Sequence, residues 1–134
     1  MKILIDTDVL IDVALNRKRF VEHSVWVLDA AQYSEIQAFI AWHSLANFYY
    51  IVSSPSGSQK AQGFIKDLLE FVEVAPVKTE DALYALSLKI ADFEDSLQIA
   101  AAQACRAEKI ITRNIKHYRN SPIQAVTPEQ FRNM

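Results

Sequence analysis

The chain has 134 residues, a formal charge of -2 and 51% hydrophobic side chains. That is enough chain for one domain with a real core, and the balance of charge argues against a strongly cationic, DNA-coating protein. The lone cysteine, Cys105, rules out a disulfide within the chain and a Cys-rich metal site, and reads as a small buried hydrophobe in the apolar stretch Ile99–Cys105.

Ile3-Leu4-Ile5 follows Met1-Lys2 directly and reads as a first strand, with no signal-peptide core ahead of it. The apolar runs are too short to span a bilayer, so a cytoplasmic protein is expected. Val9–Leu15 reads as a helix capped by Thr7 or Asp8. Phe20–Tyr33 is a second helix, with Val21, Val25, Leu28 and Ala31 on one face. Glu35–Ala41 is a strand candidate and His43–Val52 a helix. Ser53-Ser54-Pro55-Ser56-Gly57-Ser58 reads as a loop before a helix over Ser58–Phe71. A short strand falls within Phe71–Val77, then helices over Thr79–Ala91 and Asp95–Ala107, the second rich in Ala, Leu and Gln. Lys109–Thr112 and Ile123–Val126 are the last strands, and Pro128 opens a final helical turn. Strands separated by helices predict an α/β fold with a mostly parallel sheet covered on both faces. Sites in such sheets form at the carboxyl ends of the strands.

Acidic residues gather at those ends. Asp6 directly follows the first strand, Asp8 starts the first helix and Asp12 lies one turn on. Asp92, Glu94 and Asp95 sit where the Ala-rich helix begins, and Arg113-Asn114 follows the fourth strand. Carboxylates from two strand ends, with the amide oxygen of Asn114, form the kind of oxygen-ligand set that Mg²⁺ or Mn²⁺ takes to clamp a phosphodiester. Each acid also has a plainer reading. Asp8 suits a helix cap, Asp12 a solvated helix face, and Asp92 or Glu94 the favourable end of a helix dipole. Asp6 is the hardest to explain structurally, because a carboxylate after a buried central strand costs desolvation unless it is paired.

Arg17, Lys18 and Arg19 follow the first helix, and Arg113, Lys116, His117 and Arg119 follow the fourth strand. They suit phosphate contacts or ordinary loop solvation equally. His23 and His43 have no ligand spacing and receive no role. Phe48, Tyr49 and Tyr50 read as helix core rather than as a base-stacking surface.

Four stretches resemble the PIN-domain family, in order along almost the whole chain. They are Ile3-Leu4-Ile5-Asp6-Thr7-Asp8-Val9-Leu10-Ile11-Asp12; Ala91-Asp92-Phe93-Glu94-Asp95-Ser96-Leu97-Gln98-Ile99-Ala100; Ile110-Ile111-Thr112-Arg113-Asn114-Ile115-Lys116-His117-Tyr118; and the tail from Asn120-Ser121-Pro122-Ile123 to Val126-Thr127-Pro128-Glu129-Gln130-Phe131. The resemblance implies a single Rossmann-like domain over 1–134, a three-layer αβα fold with a five-stranded parallel sheet. It implies Mg²⁺- or Mn²⁺-dependent hydrolysis of RNA. Many small bacterial members are VapC-like toxins, usually homodimers restrained by a small antitoxin. By position, Asp6 and Asp95 are the implied catalytic acids and Asp6, Asp95, Asn114 and Asp8 the implied metal ligands. Asp92 and Asn47 are possible support, and Arg17, Arg19, Arg113 and Lys116 are the expected RNA contacts. The chain departs from the family pattern at Asn47, where a Glu is usual, and at His117, where Asp is frequent.

Asp6-Thr7-Asp8-Val9-Leu10 also resembles the opening motif of haloacid-dehalogenase-type phosphatases. That family needs a distal Lys after a strand and an acidic pair after another, and Asp92 and Asp95 follow no clear apolar strand. A different class of reading is a degenerate PIN domain that holds RNA or a protein without cutting, motivated by Asn47 and His117.

Overall fold

The computed structural model describes all residues, 1–134. Five strands form one parallel sheet: β1 (Lys2–Ile5), β2 (Gln37–Ile40), β3 (Val72–Val74), β4 (Lys109–Ile111) and β5 (Gln124–Val126), in the spatial order β3-β2-β1-β4-β5. Seven α-helices connect and flank them: α1 (Thr7–Ala14), α2 (Val21–Gln32), α3 (Trp42–Ser56), α4 (Ser58–Leu68), α5 (Thr79–Ser87), α6 (Phe93–Ala104) and α7 (Pro128–Arg132), with one 3₁₀ turn over Ile115–Tyr118. The expected α/β architecture is therefore the observed one. No helix is long and apolar enough to cross a membrane.

The strands are short because each contributes only its buried middle. Successive side chains of a strand point to opposite faces, and the core divides accordingly. Ile3, Ile5, Ala38, Ile40, Val72, Ile111 and Val126 share one cluster with residues of α1 to α4 and α7. Leu4, Phe39 and Ile110 belong to the other, with Ile99, Ala101 and Ala102 of α6, and with Cys105. Two apolar layers on a sheet buried on both faces explain why Ile3-Leu4-Ile5 reads as continuous rather than alternating hydrophobicity.

Helix ends depart from the sequence reading where caps decide them. α1 begins at Thr7, because Asp6 itself is the N-cap and accepts from the Thr7 N–H at 2.7 Å. Neither Thr7 nor Asp8 caps it. α6 begins at Phe93 and not at Asp95, since Asp92 accepts from the N–H groups of Glu94 and Asp95. Asp92 thus has the helix-end role. α3 runs on through Pro55 to Ser56, leaving only Gly57, at φ 89°, between it and α4 where a six-residue loop had been expected. Pro55 sits in the last turn, where its missing N–H costs one hydrogen bond, and Gly57 takes the left-handed backbone that ends the helix. In α2 the buried stripe is Ser24, Val27, Leu28, Ala30 and Ala31, so Val21 and Val25 lie at its margin.

β1 leads outward through β2 to β3, while β4 and β5 lie on its other side. The chain direction across the sheet therefore reverses between β1 and β4, whose ends pair Ile5 with Ile111. The residues that follow, Asp6 and Thr112, stand side by side at the switch point where open parallel sheets bind ligands.

Candidate active site

Asp6 leaves β1 into the start of α1 with only 7% of its surface exposed. Three neutral donors hold it. Oδ1 takes the Thr7 N–H at 2.7 Å, and Oδ2 takes the Thr112 hydroxyl at 2.9 Å and the Tyr118 phenol at 2.8 Å. No guanidinium or ammonium contacts it. Burial and the Asp6 charge push the Tyr118 hydroxyl far above its ordinary range, so it stays protonated and donating.

Asp8, on the first turn of α1, ties this helix to the loop after β4. Its Oδ2 accepts from the Arg113 N–H at 3.1 Å, the Asn114 amide at 3.0 Å and, more distantly, the Thr112 hydroxyl at 3.3 Å. Its Oδ1 is buried with no partner at all. Burial first and the Asp6 charge second raise the Asp8 carboxyl from 3.8 to about 7. On α6, Asp95 is raised to about 6 by burial and by Asp6. Its Oδ2 stands 3.5 Å from His117 Nδ1. Glu94 is also raised by burial, Asp6 and Asp92, with the Asn47 amide opposing.

These residues meet in one cleft of about 310 Å³, lined by Asp6, Asp8, Glu94, Asp95, Asn47, Asn114 and His117, with Tyr50 and Ile51 among the remaining wall residues. Four carboxylates share it with no Lys or Arg. The structure thus brings Asp6, Asp8, Asp95 and Asn114 together with Glu94, and Asn47 enters the wall as an amide beside Glu94. As they stand, no three of the Asp, Glu, His or Cys side chains are close enough to encircle an ion. Tyr50, expected in the core, is 75% exposed at the cleft, whereas Phe48 is buried and stacks on Phe64 at 4.9 Å.

Asp12 is the clearest correction. It is 1% exposed, not solvated, and binds Arg113 through Nε at 2.8 Å and Nη2 at 3.2 Å, and Arg17 at 3.2 Å. Arg113 also lies over the Phe20 ring at 4.4 Å. Two of the four expected RNA contacts, Arg17 and Arg113, are thus engaged with a buried carboxylate, while Arg19 and Lys116 stay exposed.

Several supporting residues escaped the sequence reading. Beneath the cleft, Gln98 donates to Ser44 at 2.9 Å and Thr7 donates to Ser44 at 2.8 Å, all three buried. This polar knot pins α1, α3 and α6 together under the acids. Gln98 inside an apolar helix run was the available signal; nothing in the sequence tied it to Thr7 and Ser44. Thr112 and Tyr118, which hold Asp6, carried no signal beyond their place after β4.

A PIN domain family model matches residues 2–116. The chain belongs to the PIN domain family. Among solved structures, the fold is similar to VapBC2 from Rickettsia felis, bound to a DNA fragment from its promoter (TM-score 0.70, 18% identity, covering 95% of this chain and 98% of that one). It is similar to a toxin–antitoxin complex from Klebsiella pneumoniae (TM-score 0.69, 22% identity, 93% and 96% covered). It is also similar to Mycobacterium tuberculosis VapC20, a sarcin–ricin loop cleaving toxin (TM-score 0.62, 14% identity, 81% and 86% covered). No curated protein sequence matches the chain.

Proposed function

We propose that the chain is a VapC-like endoribonuclease toxin that hydrolyses RNA phosphodiesters with a divalent metal, Mg²⁺ or Mn²⁺, at the acidic cleft. The observation that carries this reading is the crowding of Asp6, Asp8, Glu94 and Asp95 into one cleft at the switch point with no basic counter-charge from Lys or Arg. The donor chemistry fits a hard cation. All the groups offer oxygen, the Asp8 Oδ1 is buried and unpartnered, and the raised Asp8 and Asp95 carboxyls mark charge that the protein alone leaves uncompensated. Asp6, Asp95, Asp8 and the Asn114 amide oxygen are the residues that would hold the ion. When bound, the ion would polarise a water and neutralise a phosphate oxygen.

The protein's own part follows from its geometry. Asp6 is locked in place by Thr7, Thr112 and Tyr118, so its orientation is set before substrate arrives. Asp95 faces the same cleft from α6, with its Oδ2 3.5 Å from His117 Nδ1. Arg19 and Lys116, free of carboxylate partners, contact the strand outside the cleft, where their charge offsets the repulsion between acids and phosphates. The partners in this reading are an RNA substrate, a small antitoxin and a second copy of the chain, in the cytoplasm, with residues 1–134 acting as one domain.

The competing reading, a degenerate PIN domain that binds RNA or protein without cutting, rests on Asn47 in place of a wall carboxylate and on the spread of the acids. Incubation of single-stranded and structured RNA with Mn²⁺ separates the two. Cleavage that disappears in Asp6→Asn supports the nuclease; cleavage that survives in Asp6→Asn assigns the activity elsewhere. Absence of cleavage in the wild type at millimolar Mn²⁺ favours the binding module.

A further inference from the structure

A second cavity, of about 240 Å³, adjoins the acidic cleft and, unlike it, has guanidinium groups in its wall. Its wall includes Arg19, Arg113, His23, Ser24 and Phe20. Two of its lining residues carry unpartnered buried polar atoms: Ser24, only 1% exposed, at Oγ, and His23 at Nδ1. Burying such a group without a partner is costly, and natural proteins seldom leave one unexplained. Arg113 spends Nε and Nη2 on Asp12 and leaves Nη1 without a protein partner. Arg19 makes no ion pair and lies against the Phe20 ring at 5.5 Å. The free groups here include donors: a guanidinium, the spare N–H of another, and a hydroxyl. Acidic residues line the cavity too. Asp12 is already matched by Arg17 and Arg113, and Glu129 lies at the exposed rim.

The placement joins this cavity to the cleft. Asp8 lines the cleft and Asp12 the cavity, about one turn of α1 apart, about 6 Å along the axis. Asn114 lines the cleft and its neighbour Arg113 the cavity. We propose that the cavity is a phosphate subsite, where Arg19, Arg113 and the buried Ser24 hydroxyl hold a backbone phosphate of a single-stranded RNA next to the one presented to the acids. It rests on the ribonuclease reading and adds the subsite that lets so acidic a cleft retain a polyanion. An oxyanion suits the donors, and a guanidinium fork suits its geometry.

The test uses the full chain carrying Asp6→Asn, in which cleavage is removed, with a labelled single-stranded oligoribonucleotide and, separately, inorganic phosphate. Adding Arg19→Ala is expected to weaken strand binding about tenfold and to reduce the slope of log affinity against log salt by about 0.7, as for one phosphate contact on a single strand. Adding Ser24→Ala is expected to weaken it about threefold while leaving the thermal midpoint unchanged or higher, because the hydroxyl has no partner to lose. Inorganic phosphate is expected to compete with the strand. Wild-type affinity and salt slope in both variants would overturn the subsite. So would phosphate binding in the cavity without competition against the strand, which would assign it to a free anion. In the cleaving protein, a raised KM in Arg19→Ala supports the subsite, whereas a wild-type chain that does not cleave, with strand binding still weakened by Arg19→Ala and Ser24→Ala, would sink the nuclease reading alone.

Discussion

Asp8 and Asp12 stand one turn apart on the same helix, both withdrawn from solvent, and they are opposites. Asp12 is surrounded by guanidinium: Arg113 grips both of its oxygens and Arg17 adds another contact. Asp8 receives only neutral donors on one oxygen, nothing on the other, and the charge of Asp6 nearby, which with burial raises it to about 7. A buried carboxylate with its counter-charge in place is a structural strap. A buried carboxylate without one is poised to take a proton or a cation. The two meet in Arg113, whose side chain binds Asp12 while its backbone N–H binds Asp8, so the strap sets the position of the site.

The contrast can be broken from the Asp12 side. Asp12→Ala strands the half-buried Arg113 guanidinium and should cost about 3 kcal/mol in urea unfolding. A loss under about 0.5 kcal/mol would show that the pair is screened like a surface bridge. It can be sharpened from the Asp8 side by pH. A carboxyl raised from 3.8 to about 7 binds more protons folded than unfolded, so its contribution is present below pH 3.8 and is lost as pH rises toward 7. Asp8→Asn should therefore remove a falling limb of stability in that window and stabilise the metal-free protein near pH 8, on the order of 2 kcal/mol. Parallel pH–stability curves for wild type and variant would contradict the uncompensated charge.

Tyr118→Phe removes a buried donor to the Asp6 carboxylate and should cost about 1.5 kcal/mol in thermal or urea unfolding, more than any effect of the same change at exposed Tyr50. The smallest effect is at Asp92. Asp92→Ala removes a helix cap and should cost about 1 kcal/mol by the same measure while leaving the Mn²⁺ affinity within about twofold. A large loss of metal affinity there would move Asp92 from the helix end into the site.

The sheet was legible because apolar triplets such as Ile3-Leu4-Ile5 and Ile110-Ile111 carry the buried-strand signal within a few residues. The acids at the strand ends were legible for the same reason, since Asp6 must emerge where β1 stops. The bonds that decide each acid's fate were not. Asp12 is buried by Arg113, 101 residues away in the chain, and Asp6 by Tyr118, 112 residues away. Spacing on one helix made Asp12 look solvated, because the missing fact was tertiary. Capping misled in the same way: Thr7, Asp8 and Asp6 are all good caps locally, and Asp6 takes the role in α1 because Thr112 and Tyr118 fix its carboxylate at the switch point. Helix α3 continues through Pro55 because a proline one residue from the helix end removes only a single hydrogen bond.

The central claim is that the cleft carries negative charge awaiting a divalent cation. Calorimetric titration of Mn²⁺ into the wild-type chain and Asp6→Asn, in buffers of different ionisation heat near pH 6.5, tests it directly. The account predicts one ion per chain, proton release on binding as the raised Asp8 and Asp95 carboxyls give up their protons, and at least tenfold weaker binding in Asp6→Asn. No binding at millimolar Mn²⁺, or equal affinity and no proton release in the two proteins, would contradict it.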